Sequence, residues 1–107
     1  MVAIKWVTLP DGSRVRQFDF HPGEVVEFSL GWDRRLSPGD KLTSARFELD
    51  TTDTTFELFS PTNTDHRAQV WARGNPPIAT IYIPVCHVTT VFGRQLRQSF
   101  RVEVKEP

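Results

Sequence analysis

The chain has 107 residues, with 13 Lys plus Arg balanced by 13 Asp plus Glu for a formal net charge of zero. That length makes one domain, which buries roughly 65% of its unfolded surface around one modest core and leaves no room for an interdomain catalytic cleft. Neutrality excludes the basic excess of a dedicated nucleic-acid binder, gives no electrostatic case for an anionic membrane and favours association.

Eight prolines and six glycines break the chain into pieces too short for a helix bundle. Ile4 to Leu9 and Val15 to Phe20 flank Pro10-Asp11-Gly12, a turn signal, and read as an N-terminal hairpin. Glu24 to Trp32 alternates, with Val26, Phe28, Leu30 and Trp32 on one face, as in a half-buried strand. Leu36-Ser37-Pro38-Gly39-Asp40 is a turn, and Leu42 to Leu49 is the next strand. After the polar loop Asp50-Thr51-Thr52-Asp53, the run from Thr55 to Phe59 is a short strand stopped by Ser60-Pro61, with a turn over 62–65. His66 to Arg73 sends Ala68, Val70 and Ala72 inward and Gln69, Trp71 and Arg73 outward. Beyond Gly74-Asn75-Pro76-Pro77, Ala79 to Thr90 is the longest strand, with Pro84 marking an edge or a bulge. Phe92-Gly93-Arg94 is a hairpin tip, and Gln98 to Val104 returns with Phe100, Val102 and Val104 on one face.

Seven to eight strands with turns about 8–12 residues apart predict an antiparallel sandwich or barrel. The expected organisation is an N-terminal hairpin or arm over 1–20 and a sandwich domain over 21–107. No window approaches about 18 apolar residues, so no membrane-spanning helix is expected. The opening Met1-Val2-Ala3-Ile4-Lys5-Trp6 lacks the long apolar stretch of a signal peptide, so a cytosolic product, or one assembled in a cytosol, is expected.

Little in the sequence points to catalysis. The single cysteine, Cys86, excludes an internal disulfide and a Cys-rich zinc site. Its neighbour His87 points to the opposite face of a strand, so the two cannot form a nucleophile–base pair. His21, His66 and His87 fall in three segments without metal-ligand spacing. Asp50-Thr51-Thr52-Asp53 offers oxygens to a calcium ion but lacks the acidic density of a binding loop, so a polar turn is favoured. There is no phosphate-binding glycine loop and no nucleophile elbow. No enzyme, metal or cofactor is expected.

Exposed aromatics and arginines carry more information, because both are enriched at interface hot spots. Trp71 alternates out of phase with its apolar neighbours, Phe92 sits at a hairpin tip, and Trp6 is placed on the outward face of the N-terminal hairpin. Asp33-Arg34-Arg35 follows Trp32 at a strand end and is a candidate for inter-subunit ion pairs. Trp6, Arg34, Arg35, Trp71 and Phe92 are therefore the candidate protein-interface residues.

From Gly23 onward the chain resembles a group of small bacteriophage virion proteins, the fibre–tail adaptors. The resemblance rests on Glu24 to Trp32 followed by Arg35-Leu36 and Gly39-Asp40-Lys41-Leu42, and on Ser44-Ala45-Arg46-Phe47. It continues through Ala68-Gln69-Val70-Trp71, Tyr82, Val88-Thr89-Thr90, Gly93-Arg94 and the closing Ser99 to Val104. The chain departs from the pattern at Gly31 and Cys86, where Asp or Asn is usual, and at Asn75-Pro76-Pro77, where a Gly-rich turn is usual; the hairpin before Gly23 is additional.

The resemblance implies an all-β, immunoglobulin-like antiparallel sandwich. It implies a virion structural protein of the tail, neck or baseplate region, linking a tail or connector component to fibres. The expected partners are other virion proteins (tail, connector or fibre subunits), with self-association into a ring, no nucleic acid and no membrane, in a particle assembled in the host cytoplasm. Two rivals remain at this point. A capsid decoration protein would use the same fold, and a carbohydrate-binding module would stack sugars on Trp6 and Trp71.

Overall fold

Alternating burial along Arg67–Gly74, Val85–Thr90 and Arg101–Val104 settles which side faces the core, and proline and glycine settle where the chain turns. The computed structural model describes residues 5–51 and 53–107. Its strands are β1 (Lys5–Thr8), β2 (Arg14–Phe20), β3 (Val25–Gly31), β4 (Leu42–Glu48), β5 (Phe56–Asn63), β6 (Arg67–Gly74), β7 (Ile81–Tyr82), β8 (Val85–Thr90), β9 (Gln95–Ser99) and β10 (Arg101–Val104). Hydrogen bonding joins them as β1-β2-β10-β7, β3-β6-β5 and β4-β8-β9. No helix occurs among the described residues.

Two of these sheets are halves of one layer. β7 pairs with β10 and β8 with β9 in a single antiparallel register centred on Phe92, the hairpin tip. The hairpin bends where Pro84, which has no N–H to give to the ladder, accepts the Phe100 N–H at 3.1 Å. Both residues at the bend are buried. One end of the hairpin therefore serves β2 and the other serves β4. The long strand expected over 79–90 is thus two strands, and the interruption at Pro84 is a crossing between neighbours. Facing this bent layer is β3-β6-β5, so the order matches the B-E-D and C-F-G sheets of an immunoglobulin-like sandwich.

Core side chains come from both layers. Phe28, Leu30, Phe56, Ala68, Val70 and Ala72 meet Phe20, Tyr82, Cys86, Val88, Phe100, Val102 and Val104. Phe18 stacks on Phe28 at 4.6 Å between ring centroids and meets Phe100 edge-on at 5.6 Å. Trp32 is 2% exposed at the end of β3. Burial pushes the Cys86 thiol up to about 12, opposed by the Trp32 side chain. This is a packed, unreactive cysteine.

The expected boundary at residue 20 does not coincide with a break in packing. β2 pairs in parallel with β10 (Gln17 with Arg101, Phe20 with Val104), and Phe20 is fully buried in the core. Only β1 lies at the margin, paired on one side to β2. β5 also runs further than expected: Ser60 and Pro61, with Ser60 at φ 51°, form a bulge, and pairing with β6 resumes at Thr62. Gly74 closes β6 at φ 137°, and a β-carbon there would overlap the Thr55 carbonyl.

At the start of the bent hairpin, the Tyr82 hydroxyl donates to Asp53 Oδ2 at 2.7 Å, tying β7 to the loop after β4. Burial pushes the Tyr82 phenol up to about 12, and the Asp53 carboxylate adds to the shift. The unfolded phenol ionises near 10 and the folded one does not, so this contribution is full below pH 10 and is lost as pH rises towards 12. Because the chain has a single tyrosine, tyrosinate absorbance should titrate near 12 in the native protein and near 10 in urea. Asp53→Asn should lower the native midpoint. A separate test is Phe100→Ala, which removes the ring at the bend and should cost about 3–5 kcal/mol in urea unfolding.

Candidate protein-interaction surface

The five candidate interface residues fall in three places. Arg34, Arg35 and Phe92 share one end of the sandwich, where the β3–β4 turn docks on the β8–β9 tip. Asp40, 2% exposed, accepts the Lys41 N–H at 2.9 Å and the Phe92 N–H at 3.1 Å through one carboxylate oxygen. Val91 N–H donates to the Lys41 carbonyl at 2.8 Å. Arg94 reaches the Arg35 carbonyl at 3.0 Å and the Ser37 hydroxyl at 3.3 Å. Turn and tip are thus one unit, with Val91 and Phe92 left 58% and 57% exposed.

The two arginines differ in role. Arg35 is tethered: its guanidinium donates to the Arg97 carbonyl at 3.0 Å and the Gln98 side chain at 3.3 Å, and lies 5.4 Å from the Trp32 ring centroid. Arg34 is exposed beside it.

Trp71 faces out from the middle of the β3-β6-β5 sheet, between Glu27 and Phe59 in register. Arg73 covers Phe59 at 4.1 Å and pairs with Glu57, and Val25 lies exposed in the next row. The result is an apolar strip crossed by one ion pair.

Trp6 corrects the expectation of an outward-facing ring. It pairs with Arg16, whose guanidinium lies over Phe18, which itself stacks on the core residue Phe28. Trp6 therefore shares the core-facing side of its sheet but sits on the marginal strand, half exposed, with Arg14 5.9 Å from its ring.

No catalytic or metal-binding constellation comes together among the described residues. Cys86 faces the core while His87 faces out to Glu48 at 3.4 Å. His21 contacts the Lys105 carbonyl at 3.0 Å and His66 faces Asp33 at 3.8 Å. In the polar loop considered for calcium, Asp53 is taken up by the Thr55 N–H at 2.8 Å, the Thr55 hydroxyl and Tyr82; Thr52 lies outside the described residues.

The sandwich pins its loop ends and leaves Trp71, Val91 and Phe92 in the open, and exposed aromatic side chains are enriched at protein contacts. Residues 21–103 match the family described as podophage GP4 fibre–tail adaptor protein gp77. The chain belongs to this bacteriophage tail-adaptor family, whose members are virion components. Among solved structures it is similar to the PKD domain from KIAA 1837 protein, at 17% identity and a TM-score of 0.51, covering 99% of this chain and 90% of that one. It is also similar to the BIgI domain of beta protein from S. agalactiae bound to CEACAM1, at 15% identity and a TM-score of 0.42, covering 98% and 99%. The first likeness supports the immunoglobulin-like fold. No curated protein matches.

The Asp40 latch was not visible from sequence beyond its place in a Pro-Gly-Asp turn. Burial works to raise its pKa. The nearby Thr90 side chain, the hydrogen bonds from Phe92 and Lys41 and the charge of Arg94 outweigh this and hold the carboxyl below its ordinary value of 3.8. The latch thus stabilises the fold above that value, and its contribution is lost as pH falls below it. Asp40→Ala should lower stability at neutral pH, flatten the acid limb of the stability curve and speed amide exchange at Val91 and Phe92. Phe92→Ala, which removes only an exposed ring, should shift stability by less than about 0.5 kcal/mol.

Proposed function

We propose that the chain joins a tail or connector component to fibres through protein–protein contacts and catalyses no reaction. The observation that carries this reading is the family match over residues 21–103. The rigid end bearing Arg34, Arg35 and Phe92 and the Trp71 strip supply two contact surfaces on different sides of one sandwich. Different surfaces meeting head to tail make heterologous contacts, which form a ring where the rotation between subunits closes. The protein assembles as such a ring in the virion, formed in the host cytoplasm, with other virion proteins as partners and without nucleic acid. Trp6 and β1 form an arm at the margin of the sheet that reaches a neighbouring subunit.

Quantitative mass spectrometry of purified virions tests the location. A copy number at one or a small multiple of the portal protein is expected. Hundreds of copies, or absence from the particle, would overturn the adaptor role, the first in favour of capsid decoration and the second in favour of carbohydrate binding. The arm is tested separately. Because β2 belongs to the core sheet, the informative truncation removes residues 1–9, and it should leave a folded monomer that no longer assembles. A truncated protein that still assembles would remove the arm from the reading.

A further inference from the structure

The outer face of β4-β8-β9 carries a row of basic side chains set by strand register alone. Arg46 pairs with His87, and His87 with Arg97, so the three stand side by side across the sheet. The next row is Ser44, Thr89 and Gln95, all hydrogen-bonding groups. Together these six residues line an open depression of about 560 Å³. Arg35 and Arg94 extend the positive charge towards the hairpin tip through their bonds at the Arg97 and Arg35 carbonyls. One carboxylate opposes them. Glu48 lies 3.9 Å from Arg46 and 3.4 Å from His87 at the lower margin, while among the described residues the Arg97 guanidinium has no hydrogen-bond or ion-pair partner.

Two guanidinium groups and an imidazole thus stand side by side on one face of a chain with no net charge. Guanidinium groups take carboxylates in two-point contacts, and the flanking hydroxyls and amide satisfy backbone or side-chain groups laid beside them. We propose that this depression docks an extended acidic segment of a partner protein, its carboxylates on Arg97 and Arg46 and its polar groups on the Ser44–Thr89–Gln95 row. A peptide fits better than a nucleic acid, because the chain as a whole carries no basic excess to draw a phosphate backbone. The proposal rests on the adaptor reading only in assigning the segment to another virion protein.

The test is an NMR titration of the intact 15N-labelled protein with a short, end-blocked glutamate-rich peptide, with a lysine-rich peptide and oligothymidylate as controls. The glutamate peptide should move the amides of Ser44, Arg46, His87, Thr89 and Arg97, and added salt should reverse the shifts. Arg46→Glu with Arg97→Glu should weaken binding by about tenfold or more, since each tenfold corresponds to about 1.4 kcal/mol. Arg67→Glu, exposed on β6 of the opposite sheet, should leave it unchanged, and spectral dispersion reports that each variant is folded. Absence of shifts, or shifts confined to other surfaces, would overturn the proposal. So would oligothymidylate moving the same amides at lower concentration, which would mark a nucleic-acid site, or shifts that follow protein concentration alone, which would mark a contact between copies. None of these results would alter the copy number in virions, so this docking site and the adaptor role fail separately.

Discussion

Everything in this sandwich hangs on the bent hairpin that runs from β7 through Phe92 to β10. Its constraint is geometric: one pair of strands has to supply the middle of two sheet segments that point in different directions. Proline at 84 permits the bend because no ladder bond is lost there, and the Pro84 carbonyl still receives the Phe100 amide at 3.1 Å. Phe100 then fills the inside of the bend and meets Phe18, Phe28 and Phe47 edge-on. With the bend in place, β2 has a parallel neighbour and β4 an antiparallel one, and the opposing three-stranded sheet closes over the aromatic cluster.

Polar anchors finish what packing begins. Asp40 fastens the turn between β3 and β4 to the hairpin tip, and Tyr82 with Asp53 fastens the other end. Side chains that are exposed near these anchors are therefore held by rigid backbone, which lowers the entropic cost of using them in a contact. That is the physical link between the fold and an adaptor's task, which is to present fixed surfaces to other proteins.

Much of this was legible in the sequence. Strict alternation over 24–32 and 68–72 located two core strands and the outward Trp71, because a period of two has only one half-buried solution. Turn chemistry located the Phe92 tip. Local pattern failed where pairing partners decide the outcome. Ile81 and Ile83 are apolar and yet exposed, since Tyr82, Pro84 and Cys86 take the inward parity. β2 looked separable because nothing in residues 14–20 announces a parallel neighbour 84 residues away. Trp6 misled for the same reason, its side being set by its pairing with Arg16. Of the contact surfaces, single exposed aromatics could be picked out residue by residue. The basic row of Arg46, His87 and Arg97 could not, because its members come from three strands and only register brings them together.

The parallel pairing of β2 with β10 also sets an order of events in time. Phe20 has no complete pocket until Val102 and Val104 arrive, and contacts of such long sequence separation form slowly, in milliseconds to seconds for sandwiches of this kind. During synthesis, β2 must therefore wait, unpaired on that side, for strands made more than eighty residues later. The exposed tip at Val91 and Phe92 belongs to the same hairpin. A chain still being made thus leaves Phe20 open to water until β10 is in place to bury it.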